Sequence, residues 1–194
     1  MKSIIHSCVI IIAFALLTSC ATKRVPSNVN HICYIFKEYP SWYQHTKKVE
    51  RIWHVPVPVQ MAIVHQESRF DAYALPPKKR LLGFIPWGRV STAYGYAQAL
   101  DGTWRGYQNM RGGFWSSRHS FADAVDFIGW YANKAYIKAH IPRNDPYRLY
   151  LAYHEGVGGY MRKTYLRKPW LLRVAHKVSA RSQIYRAQLL RCGR

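Results

Sequence analysis

The chain has 194 residues, 49% of them apolar and 15% aromatic, which is enough for one domain with a proper core and excludes a disordered chain. Its 29 Lys and Arg against 9 Asp and Glu give a formal net charge of +20. That balance points to an anionic partner, either nucleic acid, a membrane face or an acidic polymer such as cell wall, and charge alone does not choose among them.

The first segment narrows the choice. Lys2 supplies a positive start and Val9 to Leu17 is an unbroken apolar run. The whole apolar stretch falls short of the ~18–20 residues that a spanning helix needs, so residues 1–19 read as a cleaved export signal. They end in Leu17-Thr18-Ser19-Cys20, which resembles the lipobox of bacterial lipoproteins and makes Cys20 the expected lipidation site. Ala21 after the cysteine, rather than Asp, suits carriage to the inner face of an outer membrane, in the periplasm. Export removes nucleic acid from the partners, while the mature chain stays strongly basic.

Residues 20–30, polar with one proline, read as a lipidated tether, and 31–194 as the folded domain. Ser41 after Pro40 can cap a helix running to about Trp53. Val55-Pro56-Val57-Pro58 begins extended, and Pro58 suits the first turn of a helix that reaches Ser68. Tyr73 to Ser91 is one long irregular stretch, basic and bearing Trp87. It is either a loop docked by its own side chains or a wall beside a cleft. Asp101 can cap a helix through Trp104 and Tyr107. Ser120 opens the clearest helix, with Phe121, Val125, Ile128, Ala132 and Ala135 on one face and Asp123 at the capping-box position. Asp145-Pro146 starts another, which Gly156 ends, and Trp170 to about Leu190 is a basic amphipathic helix. No run alternates as a strand does, so the class is all-α.

Acids are scarce enough to weigh singly. Glu38 and Glu50 read as solvated ion-pair partners, Asp101, Asp123 and Asp145 as caps, and Asp126 as a residue on the polar side of its helix. Glu67, Asp71 and Glu155 remain. Glu67 ends an apolar helix, where partial burial and the negative end of the helix dipole both raise its pKa. A carboxyl protonated near neutral pH is a proton donor of the kind a glycosidic oxygen needs. The other reading is a helix-end carboxylate paired with Arg69, and composition leaves both open. His65-Gln66-Glu67 is not the helical HExxH pattern, and no metal site or cofactor is expected. Cys8 leaves with the signal and Cys20 carries lipid, so Cys33 and Cys192 are left either to pair in an oxidising compartment or to remain buried thiols.

Glu67-Ser68-x-Phe70, then Ser91-x-x-x-Gly95-Tyr96-Ala97-Gln98, then Ala152-Tyr153-His154-Glu155-Gly156 resemble, in order, the three motifs of soluble-lytic-transglycosylase (SLT) domains. Tyr185 looks like that family's late tyrosine, and the resemblance covers roughly residues 55–190. It implies a lysozyme-like fold with Glu67 facing a groove that binds peptidoglycan glycan strands, in a protein assumed monomeric. Family members cleave the bond between N-acetylmuramic acid and N-acetylglucosamine without water, through attack by the muramic C6 hydroxyl. One glutamate serves as acid and then as base, so a second carboxylate is not required as in conventional glycosidases. By position, Ser68 orients Glu67, Gly95, Tyr96 and Gln98 line the cleft, and Tyr153 and Tyr185 touch the saccharide or the glutamate. Tyr96-Ala97 replaces the usual Leu-Met, and His154-Glu155 replaces Asn-Ala, which puts two candidate substrate-binding residues near the site, Glu155 either tuning the substrate pocket or assisting Glu67, or else only bonding His154. A hydrolase using Asp71 or Glu155, and a wall-binding protein without turnover, are the competing readings.

Overall fold

The computed structural model describes residues 25–81 and 85–193, so the export signal and the lipidation site at Cys20 lie outside the described residues. The chain runs through α1 (Ile32–Glu38), α2 (Pro40–Trp53), α3 (Val57–Ser68), β1 (Lys78–Leu81) and β2 (Ile85–Arg89). It continues through α4 (Asp101–Tyr107), a π-helical turn (Gln108–Gly112), α5 (Phe121–Ala139), α6 (Pro146–Met161), a 3-10 turn (Thr164–Arg167) and α7 (Pro169–Arg191). The class is all-α, as the hydrophobic periodicity implies. Prolines occupy the first turn of α2, α3, α6 and α7, where a missing N–H is harmless. Ser120 and Asp145 cap α5 and α6 by accepting from the backbone N–H of Asp123 and Arg148.

Helix α3 is the centre of the packing. Every residue from Val57 to Val64 is buried, because α2, α5, α6 and α7 all pack against it. A helix enclosed on all sides is apolar all round rather than amphipathic. Gln60 is its one buried polar side chain, and its Nε2 donates to the carbonyls of Thr46 and Val55 at 3.0 and 2.8 Å, pinning α3 to α2. The aromatic part of the core gathers on Trp42 of α2, which stacks on Phe121 with centroids 3.9 Å apart and meets Phe70 and Tyr96 at 5.8 and 5.5 Å.

Several local expectations are corrected. Residues 73–91 contain an antiparallel hairpin pairing Lys78 with Arg89, Arg80 with Pro86 and Leu81 with Ile85. A two-stranded sheet consists only of edges, so Pro86 is tolerated there and masks the strand from a sequence reading. The side chains of residues 79–87, Trp87 among them, lie outside the described residues. Ser41 caps nothing, since α2 begins at Pro40 with Tyr39 before it. Asp101 is the first residue of α4 rather than its cap, and pairs with Arg118 at 2.8 Å. Gly156, with φ 73° and ψ 153°, ends the first helical stretch of α6 as expected, and a second stretch follows it directly to Met161. Asp126 is no surface acid. It accepts from Trp53 Nε1 and the Tyr107 hydroxyl, both at 2.8 Å, and so ties α2, α4 and α5 together.

The folded part also begins before residue 31. Pro26 is buried, Ser27 donates through N and Oγ to Glu38, and the carbonyls of Val29 and Asn30 accept from Tyr185 and Gln188 of α7. The end of the expected tether is therefore docked, and Glu38 holds it in place. A disulfide joins Cys33 on α1 to Cys192 after α7, with Cα atoms 6.5 Å apart. Glu50 bonds Lys47 and accepts from the N–H of Val57, where α3 begins.

Candidate active site

Glu67 is the penultimate residue of α3. The helix stops there because Arg69 and Phe70 adopt left-handed backbone angles, φ 51° and 66°, which turn the chain so that the Phe70 ring enters the core. Glu67 keeps some solvent exposure. The packing round its carboxyl is nevertheless dense enough that lost solvation pushes its pKa up to about 7, opposed only by a hydrogen bond from the Tyr150 hydroxyl. No pairing with Arg69 enters the balance. The carboxyl is thus held protonated near neutrality by burial, and the ion-paired alternative does not describe it.

Tyr150 and Tyr153, three residues apart on α6, form the wall facing Glu67. Burial raises the pKa of both, and the Glu67 charge raises them further, so both remain neutral donors. Tyr153 donates to the carbonyl of Ala97 at 2.6 Å, which locks α6 to the segment carrying Gln98. Tyr150 is the residue that sequence reasoning missed. It stands outside the Ala152–Gly156 motif, and its one available signal was its i,i+3 relation to Tyr153.

The expected site residues divide between the cleft and its scaffold. Gly95 (φ 74°) is structural, because a Cβ there would overlap the Arg118 carbonyl oxygen. Gln98, at φ 46°, donates from Nε2 to the carbonyls of Ala74 and Gly95, both at 2.9 Å, and lines a pocket of about 230 Å³ with Leu100, Thr103, Tyr153, His154 and Glu155. Arg118, a further missed residue, clamps this segment by donating to the carbonyls of Thr92 and Ala99 at 3.0 and 2.9 Å. Glu67 is not among the residues lining that pocket and meets it through Tyr153.

Three expected substrate contacts are corrected. Ser68 does not orient Glu67, since its hydroxyl turns back to the Val64 carbonyl at 3.3 Å within its own helix. Tyr96 is only 7% exposed and packs edge-on against Trp42 and Phe121, so it fills the core that the usual leucine would fill. Tyr185 is fully buried and donates to Val29, holding the N-terminal segment rather than a sugar.

Glu155 is also explained. Burial alone would raise its pKa, but donors from Lys168 (2.7 Å), Thr164 and His154 (3.0 Å) outweigh it and hold the carboxyl down to about 2. A carboxylate with its lone pairs so occupied is a strut between α6 and the start of α7, not a second acid or base. His154 stays exposed beside it, edge-on to Trp170 at 5.1 Å. Asp71 accepts from the backbone N–H of Tyr73 at 2.9 Å and shapes the turn after α3. His65 is kept neutral, its pKa lowered to about 4 by burial and then by Arg181 and Arg69. Among the described residues, no group of three or more His, Cys, Asp or Glu is placed to hold a metal ion.

Because the Tyr150 hydrogen bond stabilises the ionised form of Glu67, Tyr150→Phe is expected to raise the Glu67 pKa above its present value. A carbon-13 NMR titration of the Glu67 carboxyl in both proteins measures the shift. A midpoint that stays put or falls would mean that Tyr150 does not contact the charged carboxyl.

Compared with known proteins, residues 8–192 match the family model described as transglycosylase SLT domain. No curated protein and no solved structure matches the chain.

Proposed function

Since the chain belongs to the transglycosylase SLT-domain family, we propose that it is a lytic transglycosylase that cuts peptidoglycan between N-acetylmuramic acid and N-acetylglucosamine and leaves 1,6-anhydro ends. Glu67 donates its proton to the glycosidic oxygen, the bond from that oxygen to the muramic C1 breaks, and the N-acetylglucosamine leaves with a free hydroxyl. The carboxylate so formed takes the proton of the muramic C6 hydroxyl as that oxygen bonds to C1. The proton count closes, no water is consumed, and Glu67 ends in the protonated form from which it began.

The observation that carries this reading is the Glu67 carboxyl, lifted by burial to about 7 and therefore able to give and retake a proton at neutral pH. Tyr150 and Tyr153 stay un-ionised beside it and add no negative charge to the oxocarbenium-like transition state. The occupied carboxylate of Glu155 speaks against a hydrolase that uses it as the second free carboxylate to activate water. On this reading the enzyme works in the cell envelope, exported by residues 1–19 and held by lipid on Cys20.

Mass spectrometry of muropeptides released from purified sacculi tests the outcome. Anhydro ends, each lighter than the hydrolytic product by one water, are expected. Reducing ends in their place would make the protein a hydrolase, and absence of any release would make it a binding protein.

A further inference from the structure

Among the described residues, the two most exposed aromatic side chains lie together, away from the proposed chemistry. Phe114 and Trp115 are 83% and 90% exposed in the segment after the π-helical turn, and Met110 within that turn is 76% exposed. The segment is folded back on itself. Gly113 N–H donates to the Gln108 carbonyl at 3.0 Å, and Gln108 Nε2 donates to the Phe114 carbonyl at 3.3 Å. The two rings meet edge to face with centroids 5.1 Å apart, forming a protruding knob. Next to it, Met110 and the second half of α5 border an apolar groove of about 370 Å³, lined also by Trp130, Lys134 and Ile137, the last 63% exposed. Apolar surface left in water is disfavoured by about 25 cal/mol per Å², and clusters of this kind mark contact sites.

The charged groups lining the groove carry one sign. Lys134 lies over the Trp130 ring at 5.3 Å, and Lys138 lines the groove one helical turn further on. The acids of the same elements are engaged elsewhere, Asp123 by the N–H of Ser117, Asp126 by Trp53, Tyr107 and Arg111, and Asp101 by Arg118. Among the described residues, no carboxylate lines the groove, and the amide oxygen of Asn133, which does, already accepts from Arg143. A flat sugar platform would need carboxylates or several free amides beside the rings to bond hydroxyls, and the groove lining offers two lysines and the single amide of Asn133.

We propose that this face docks on an anionic phospholipid bilayer, with Phe114 and Trp115 entering the interface and Lys134 and Lys138 meeting the phosphates. A bilayer supplies both complements at once, an apolar interior within reach of two protruding rings and a negative surface for a cationic rim. The docking is independent of glycan cleavage and of any N-terminal lipid.

The test is flotation of the full chain carrying Cys20→Ser, so that no attached lipid can hold it, with vesicles of phosphatidylcholine alone or mixed equally with phosphatidylglycerol. Binding to the mixed vesicles is expected. Phe114→Ser with Trp115→Ser should lower the bound fraction roughly tenfold or more, the loss that removing two interfacial rings implies. Lys134→Glu with Lys138→Glu should erase the preference for phosphatidylglycerol. Circular dichroism checks that these surface variants remain folded. Equal flotation of the serine variant, or binding indifferent to phosphatidylglycerol, overturns the proposal. So does a parent that ignores vesicles while the knob drives either self-association in sedimentation or adhesion to sacculi.

Discussion

Glu67→Gln is expected to abolish wall cleavage, lowering the rate by at least roughly 10²–10⁴-fold, the range associated with loss of a positioned general acid. Glutamine fills the same space and can still meet the Tyr150 hydroxyl, but it has no proton to give the leaving oxygen and no charge to take one back. The fold should survive, and its pH response should change in a definite direction. In the parent, burial raises the Glu67 pKa from 4.5 to about 7. Below pH 4.5 both the folded and unfolded forms hold the proton, and the group is neutral in the balance. Between 4.5 and about 7 only the folded form holds it, so stability falls as pH rises, and above 7 the full penalty of a buried carboxylate remains. Glu67→Gln removes that penalty. The variant should therefore melt above the parent at pH 8 and level with it near pH 4. Turbidity clearing of wall suspensions and thermal melts at the two pH values measure both halves. Normal clearing by folded Glu67→Gln protein would falsify the assignment of the catalytic acid, whatever the melts show.

Replacing Cys33 and Cys192 together by alanine is expected to lower the unfolding free energy by about 2–5 kcal/mol, as removal of a native bridge typically does. The bridge closes a loop spanning a sequence separation of 159, nearly the whole described chain, so it restricts the unfolded state strongly. At about 2–4 °C per kcal/mol for a domain of this size, the melting temperature should drop by roughly 5–20 °C. Limited proteolysis should cut first before α1, where Ser27 donates to Glu38 and the carbonyls of Val29 and Asn30 accept from Tyr185 and Gln188. A melting temperature equal to that of the parent under oxidising conditions would mean that the bridge adds nothing to the fold.

The helices were legible because their signals are local. Ser120 with Asp123 and Asp145 with Pro146 mark the starts of α5 and α6, and the enclosed run Val57–Val64 announces the central helix that presents Glu67. The catalytic candidate was legible for the same reason, since an acid at the end of an apolar helix is unusual enough to stand out. What could not be read depends on contacts between distant parts of the chain. Tyr96 and Tyr185 sit at motif positions, yet they turn inward because Trp42, Phe121 and the docked N-terminal segment wait for them there. Tyr150 faces Glu67 across a gap of more than eighty positions in the chain, and nothing in its neighbours says so. Glu155 gave no sign that Lys168 and Thr164 would come round to occupy it. The hairpin was hidden by Pro86, which would be disqualifying in a wider sheet.

The bridge between α1 and the end of α7 also fixes how the molecule bears mechanical load. Tension applied at the N-terminus strains first the bonds to Glu38, Tyr185 and Gln188, and these can peel one at a time. It then reaches Cys33 and passes through a covalent link to Cys192. When the opposing force acts beyond Cys192 and those bonds have peeled, the closed link carries the load past the residues between the two cysteines, α3 and Glu67 among them. A pull from the N-terminal side can therefore unseat the first few described residues and leave the alignment of Glu67, Tyr150 and Tyr153 undisturbed. Once the link is reduced, the same pull runs directly into α1 and α2, and the stack of Trp42 on Phe121 becomes the next element to yield.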